Sequence, residues 1–175
     1  LIIGAGAMGT AFAYPCLDNN HNVSIVGTHL ENDSIDELNR NYFHRGLNLE
    51  VLKTIKFFKH KSINNIIQNK IDLIVLGVSS KGIKWVSEEL KKISNKNLLP
   101  PLLMLTKGLS INENKYELLV DKLIRLLSQK GIQDINLSAV GGPCLAAGLA
   151  NRVHSGVVIA NRNLKRANLL KKMLS

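Results

Sequence analysis

Aromatic side chains are scarce in this chain: four Phe, three Tyr and one Trp among 175 residues. The scarcity matters because cations are plentiful, 23 Lys and Arg against 13 Asp and Glu, for a formal net charge of +10. A protein that grips single-stranded nucleic acid interleaves such cations with aromatic stacking platforms. The basic stretches "EELKKISNK" and "NLKRANLLKK" lack that interleaving and sit on the polar sides of helical patterns. They read as solvated surface, and nucleic acid is not an expected partner. Cysteine is nearly absent. Cys16 and Cys144 make neither a disulfide framework nor a metal-ligand spacing, and read as reduced thiols of a cytoplasmic protein. The five histidines include no pair at helical spacing, so no metal is expected. No apolar run approaches the ~18 residues of a membrane span, which argues against stable membrane insertion. The chain also lacks an initiator Met and the basic start of a signal peptide. Its opening "LIIGAG" is apolar at once, as in a fragment entered inside its first strand.

What is present is an alternation. Strand-like runs fall at 1–3, 22–27, 54–58, 72–78, 102–106, 135–141 and 155–161. Helical patterns fall at 8–19, 62–69, 81–93 and 114–130, and again from Leu164 onward. Ser34 with Glu37 three residues on is a capping-box pattern that would open a further short helix. In 81–93, Ile83, Val86, Leu90 and Ile93 share one side, with Trp85 at its edge. In 114–130, Leu118, Leu119, Leu123, Ile124 and Leu127 are expected inward. "DLIVLGV" (72–78) is continuously apolar, as in a strand covered on both faces. The expected fold is α/β, a doubly wound, mostly parallel sheet of the Rossmann type with helices on both faces, spanning 1–175 as one dinucleotide-binding domain.

The motif "GAGAMG" follows the first strand and opens the first helix. Gly4 permits the tight turn, Gly6 lets backbone approach a pyrophosphate, and Gly9 lets helix and strand pack closely. The helix amino end, from Ala7 and Met8 onward, offers N–H groups and a positive dipole to that pyrophosphate. The alternative is a glycine turn that serves packing alone. An NAD site usually has an acid at the end of the second strand for the ribose 2′-hydroxyl. That end reads Gly27, Thr28, His29, with no acid, and no Arg for a 2′-phosphate. Thr28 and His29 could donate to either group, or have no role. With nothing negative there and a basic chain, the reading leans from NAD toward NADP.

Lys107 stands where "LLMLT" ends, with Gly108 after it. Ligands of an open parallel sheet bind beyond the carboxyl ends of the strands. Ser79 and Ser80, and the "GGPC" turn from Gly141 to Cys144, stand at two other such ends. A lysine there can neutralise a phosphate, polarise a carbonyl or donate a proton during carbonyl reduction. A solvated strand-end lysine before a turn glycine is the equal alternative.

The ordered set "GAGAMGTAFA", "VLGVSS", "LTKGL" and "GGPCLAAGLA…VHSGVVIA" closely resembles the amino-terminal domain of NAD(P)-dependent glycerol-3-phosphate dehydrogenases, over nearly the whole chain. The resemblance implies that Gly4, Gly6, Gly9, Thr10 and Ala11 cradle the cofactor pyrophosphate. It implies that Lys107 contacts both substrate and cofactor, that Gly142 and Cys144 line the substrate side, and that Ala146 touches the cofactor. The implied reaction is reversible hydride transfer between NAD(P)H and dihydroxyacetone phosphate, giving sn-glycerol 3-phosphate for glycerophospholipid synthesis. Three positions depart from the family pattern: Cys144 replaces the usual Ser, Thr or Asn, Gly148 replaces a Glu, and the second-strand end lacks the usual Arg. Family members carry a second, helical domain with a further lysine and the substrate-phosphate grip. Residues 1–175 alone are therefore expected to bind dinucleotide with little or no turnover. A homodimer of the full-length protein stays open. The rival readings are a related reductase of a 3-hydroxy acid or keto acid, and a dinucleotide sensor without chemistry.

Overall fold

The computed structural model describes residues 1–95 and 98–174; Lys96, the last residue of the basic stretch 88–96, Asn97 and Ser175 lie outside the described residues. The apolar runs become strands of one sheet. β1 (Ile2–Ile3), β2 (Ser24–Val26), β5 (Lys56–Phe58), β6 (Ile74–Leu76), β7 (Leu102–Met104) and β10 (Leu137–Gly141) are parallel, and β11 (Val158–Ala160) runs antiparallel to β10. The order across the sheet is β11-β10-β7-β6-β1-β2-β5. The chain thus winds outward from β1 in one direction, returns to β6 on its other side, and winds outward again. That reversal between β1 and β6 is the switch point at which open α/β sheets form a crevice.

Both faces of the sheet are buried because side chains alternate along each strand. Ile2, Ile25, Phe57, Val75 and Leu103 face a core shared with α1 (Ala7–Asp18), which contributes Ala11, Phe12 and Ala13. Ile3, Val26, Ile74, Leu76, Leu102 and Met104 face the other core. There α4 (Ile83–Ile93) inserts Ile83, Val86, Leu90 and Ile93, and α5 (Leu119–Gln129) inserts Leu119, Leu123 and Leu127. The expected fold class is the one observed. The carboxyl end of α1 is stapled by Asp18, whose two carboxylate oxygens accept from Nε and Nη2 of Arg152, each at 2.9 Å. Arg152 follows α6 (Ala146–Ala150), so the segment after β10 docks on α1.

Three expectations change. The helix set at 114–130 begins only at Leu119; residues Lys115–Leu118 are β9, paired with β8 (Leu109–Asn112) in a hairpin. Its two turn residues, Glu113 and Asn114, both have positive φ, the pair of left-handed residues that a two-residue type I′ turn uses. Leu118 is consequently 55% exposed, not inward, and Ile124 is only partly buried. The helix assigned to the Ser34–Glu37 capping box instead is α2 (Asn32–Asn41), with Ser34 inside its first turn. It starts early because the carbonyl of Glu31 already accepts from the Ile35 N–H at 2.8 Å. The helical segment at 62–69 shrinks to α3 (Ile63–Ile66) behind a 3₁₀ turn, His60–Ser62. A short antiparallel pair, β3 (Phe43–His44) with β4 (Leu49–Glu50), had no sequence signal. Last, α7 (Leu164–Leu174) packs Ala167 and Leu170 inward.

Backbones approach closely at the switch point. A Cβ on Gly77, just past β6, would stand 2.8 Å from Gly9 Cα. Gly77→Ala is expected to cost about 1–3 kcal/mol through overpacking against backbone that cannot yield. Gly156, which has open space around it, serves as the control. Gly156→Ala should stay within about 0.5 kcal/mol. Urea unfolding midpoints check both, and equal midpoints for the two variants would refute the packing argument.

Candidate functional site

The glycine turn between β1 and α1 is built for close approach. Gly4 has φ +106°, a Cβ on Gly9 would collide with the Gly4 carbonyl oxygen, and a Cβ on Gly4 would stand 2.8 Å from Gly77. The bare backbone at these three positions lets β1, α1 and β6 converge. Gly6 is different: its missing side chain faces open space, with Glu31 Oε1 the first atom met, at 3.7 Å. It precedes α1, whose amino end has no side-chain cap and no acid in its first turn. The first-turn N–H groups at Ala7, Met8 and Gly9 have no partner within the helix, and Ala7 and Met8 are only half-buried. An uncapped helix end behind a glycine that leaves its approach clear fits a pyrophosphate. Thr10 and Ala11, expected in the cradle, are wholly buried. The Thr10 hydroxyl donates to the Ala5 carbonyl at 3.2 Å, so Thr10 supports the turn from behind.

The Ala5 peptide, between the first two glycines, is held by two further side chains that sequence reasoning missed. Its N–H donates to Glu31 Oε2 at 3.1 Å, and the same oxygen accepts from the Thr28 N–H at 2.6 Å. Its carbonyl accepts from His44 Nε2 at 2.9 Å. The Leu47 N–H donates to His44 Nδ1 at 3.1 Å, which leaves the ring proton on Nε2. His44 is buried and reaches the turn from β3. The end of β2 itself is acid-free, as its sequence says, but the turn after it returns a carboxylate to the same place. A search for an acid about 20 residues past the glycine motif, instead of strictly at the strand end, would have found Glu31; His44 had no sequence signal. Thr28 spends its N–H on Glu31. His29 is exposed, with its ring 5.3 Å from that of Trp85 and 6.4 Å from that of His60.

At the other end of the crevice, Thr106, Lys107 and Gly108 tie three strands together. The Thr106 hydroxyl donates to the Val78 carbonyl beyond β6. Lys107 Nζ donates to the Gly142 carbonyl beyond β10 at 2.6 Å. Gly108 has φ +131°, which lets the chain leave β7 sharply for β8. Lys107, Cys144 and Met8 line one largely apolar cavity of about 560 Å³, with Phe12, Leu105 and Val140. Lys107, Gly142, Cys144 and the head of α1 are therefore brought together. Ser79 is exposed at the end of β6, and Ala146 opens α6, packed toward α1. Thr28 and His29 lie at the far end, beyond β2. From β2 to β7 is three strand spacings, about 14 Å, so an extended ligand is needed to touch both ends. Among the described residues no group of three His, Cys, Asp or Glu side chains could hold a metal ion. No helix among them is long and apolar enough to cross a membrane.

Known proteins resemble the chain along its length. The family model described as the N-terminus of NAD-dependent glycerol-3-phosphate dehydrogenase matches residues 1–167. A glycerol-3-phosphate dehydrogenase [NAD(P)+] from Mesoplasma florum is 27% identical over 99% of this chain and 50% of its own. An NADP(+)-dependent glycerol-3-phosphate dehydrogenase from Archaeoglobus fulgidus is 25% identical over 98% of this chain and 49% of its own. The crystal structure of glycerol-3-phosphate dehydrogenase from Coxiella burnetii superposes with a TM-score of 0.79 at 21% identity, covering 99% of this chain and 50% of that one. The chain spans about half the length of the curated relatives it matches.

Cys16 and Cys144 line the same cavity but differ in chemistry. Burial pushes the Cys16 thiol up to about 11, against a smaller opposing pull from the amino terminus. At pH 8 its thiolate fraction is about 0.1%, and the thiolate is the reactive form. Maleimide labelling at pH 8 should show one fast equivalent, at half-buried Cys144, and a second only on unfolding. The fast phase should vanish in Cys144→Ser; a fast phase that survives this substitution would overturn the assignment.

Proposed function

The chain belongs to the NAD-dependent glycerol-3-phosphate dehydrogenase family, which it matches through the amino-terminal domain, and from that premise we propose the following activity. The protein binds NAD(P)(H) across the rim of its sheet. It takes part in reversible hydride transfer between NAD(P)H and dihydroxyacetone phosphate, yielding sn-glycerol 3-phosphate for glycerophospholipid synthesis in the cytoplasm. The observation that carries the reading is Lys107, whose amine sits on the Gly142 carbonyl in the cavity that Met8 of the cofactor turn also lines.

The glycine turn and the amino end of α1 hold the pyrophosphate through backbone N–H groups. This leaves the reactive end of an extended dinucleotide directed along the rim toward β7 and β10. The reduced nicotinamide supplies the hydride. Carbonyl reduction builds negative charge on the substrate oxygen, and the Lys107 ammonium stands where it stabilises that charge or the neighbouring phosphate dianion. Apolar side chains, Phe12, Leu105 and Val140, line the same cavity beside the exposed ammonium. Gly142 and Cys144 border the substrate. We place the proton donor and the phosphate grip in a second, helical domain, a reading that the roughly doubled length of the matched relatives supports. Residues 1–175 alone then bind dinucleotide without turnover.

Lys107→Met in the full-length protein should lower kcat/KM for dihydroxyacetone phosphate by about 10²-fold or more, as removal of one preorganised charge does elsewhere. NADH affinity, read by nicotinamide fluorescence, should change little. A parallel panel of keto acids should give no comparable rate. Unchanged turnover in Lys107→Met, or a keto acid preferred over dihydroxyacetone phosphate, would remove the proposal.

A further inference from the structure

Glu31 has an oxygen to spare. Oε2 takes the N–H groups of Ala5 and Thr28, which fixes the carboxylate between the glycine turn and the end of β2. Oε1 accepts from no described residue, yet it is not sealed away, since no buried side-chain oxygen among the described residues lacks a partner. It lies 3.7 Å from the place a Gly6 side chain would occupy. Gly6 is the residue whose bareness admits a dinucleotide. A negative acceptor thus stands beside the entry path, at the strand next to β1, where the adenosine half of an extended dinucleotide lies.

We propose that Glu31 makes this site selective for NAD(H) over NADP(H). Its free oxygen accepts from the hydroxyls of the adenosine ribose. A 2′-phosphate would bring a further dianion against that same oxygen, and like charges in contact cost affinity steeply. Two cations of the neighbouring elements are engaged with carboxylates. Lys59, following β5, donates to Asp36 at 2.7 Å, and Arg45 donates to Glu37 at 3.1 and 2.5 Å. The inference rests on the dinucleotide reading above and runs opposite to the sequence-level lean toward NADP, which assumed that nothing negative stood here.

The test is a pair of nicotinamide-fluorescence titrations, NADH and NADPH, on the full-length protein at one fixed ionic strength. The wild type should bind NADH about tenfold or more tightly than NADPH, as expected when one charged contact turns from attractive to repulsive. Glu31→Gln keeps one oxygen to accept from Ala5 and Thr28 and keeps the shape, but loses the charge and turns toward the ribose an amide donor, from which a hydroxyl can still accept. It should tighten NADPH by about tenfold while NADH moves less than about threefold. Equal or tighter NADPH binding by the wild type overturns the inference. So does a variant in which both affinities fall by the same factor, since Glu31 would then only brace the turn. If neither nucleotide binds a protein whose circular dichroism is that of a folded α/β chain, the dinucleotide reading itself fails, and the inference with it. The wild-type ratio needs no variant, so the inference can be overturned even if Glu31→Gln does not fold.

Discussion

The crevice depends on how closely three backbones approach one another. Gly4, Gly9 and Gly77 meet where β1, α1 and β6 converge, and at each position a single carbon would strike backbone. Main chain cannot swing aside as a side-chain tip can, so the approach is all or nothing. It sets where the amino end of α1 points. That direction in turn places the first-turn N–H groups at the switch point of the sheet, the one location where loops from both halves of the winding can face a common ligand.

Close approach alone does not orient a peptide. The Ala5 unit is fixed by donors and acceptors drawn from separate parts of the chain: Glu31 after β2, His44 on β3 and Thr10 within α1. A buried peptide group left unpaired costs a large fraction of the stability of a small domain, so these contacts are constraints on folding as well as on the site. They also explain the short β3–β4 pair, whose placement brings an imidazole of defined tautomer beneath the turn. Among the described residues the glycine turn is therefore braced without a cation: backbone dipoles face the crevice, and neutral or anionic side chains supply the geometry.

Much of this was legible in the sequence, for reasons that are local. Short apolar runs such as 72–78 and 102–106, with Pro or Gly close to an end, suit strands covered on both sides, and glycine between strand and helix has few other uses. Lys107 was legible because an ammonium directly after an apolar strand must lie at its mouth. Glu31 and His44 were not, because their roles arise from distances between segments that the sequence keeps 26 and 39 residues apart. The hairpin at 109–118 was misread for a different reason. Leu109, Ile111, Tyr116 and Leu118 are apolar yet exposed, and the helical periodicity that placed Leu118 inward pointed to burial where there is none. Local φ > 0 at Glu113 and Asn114 decided the structure instead.

The partner of Lys107 gives its position chemical meaning. Cations elsewhere on the surface, such as Arg45, Lys59, Arg125 and Arg152, are matched with carboxylates, and each such pair is close to neutral as seen from a distance. Lys107 donates to the carbonyl of Gly142, which orients the ammonium but cancels none of its charge. An ammonium has three donors, so one bond to a carbonyl leaves two for an incoming anion or a developing alkoxide. The same bond links the ends of β7 and β10, so the charge is held at a fixed place on the rim instead of sweeping through solvent on a four-carbon stem. A carboxylate at this point would have stabilised the lysine and silenced it; a carbonyl holds it in place with its charge intact.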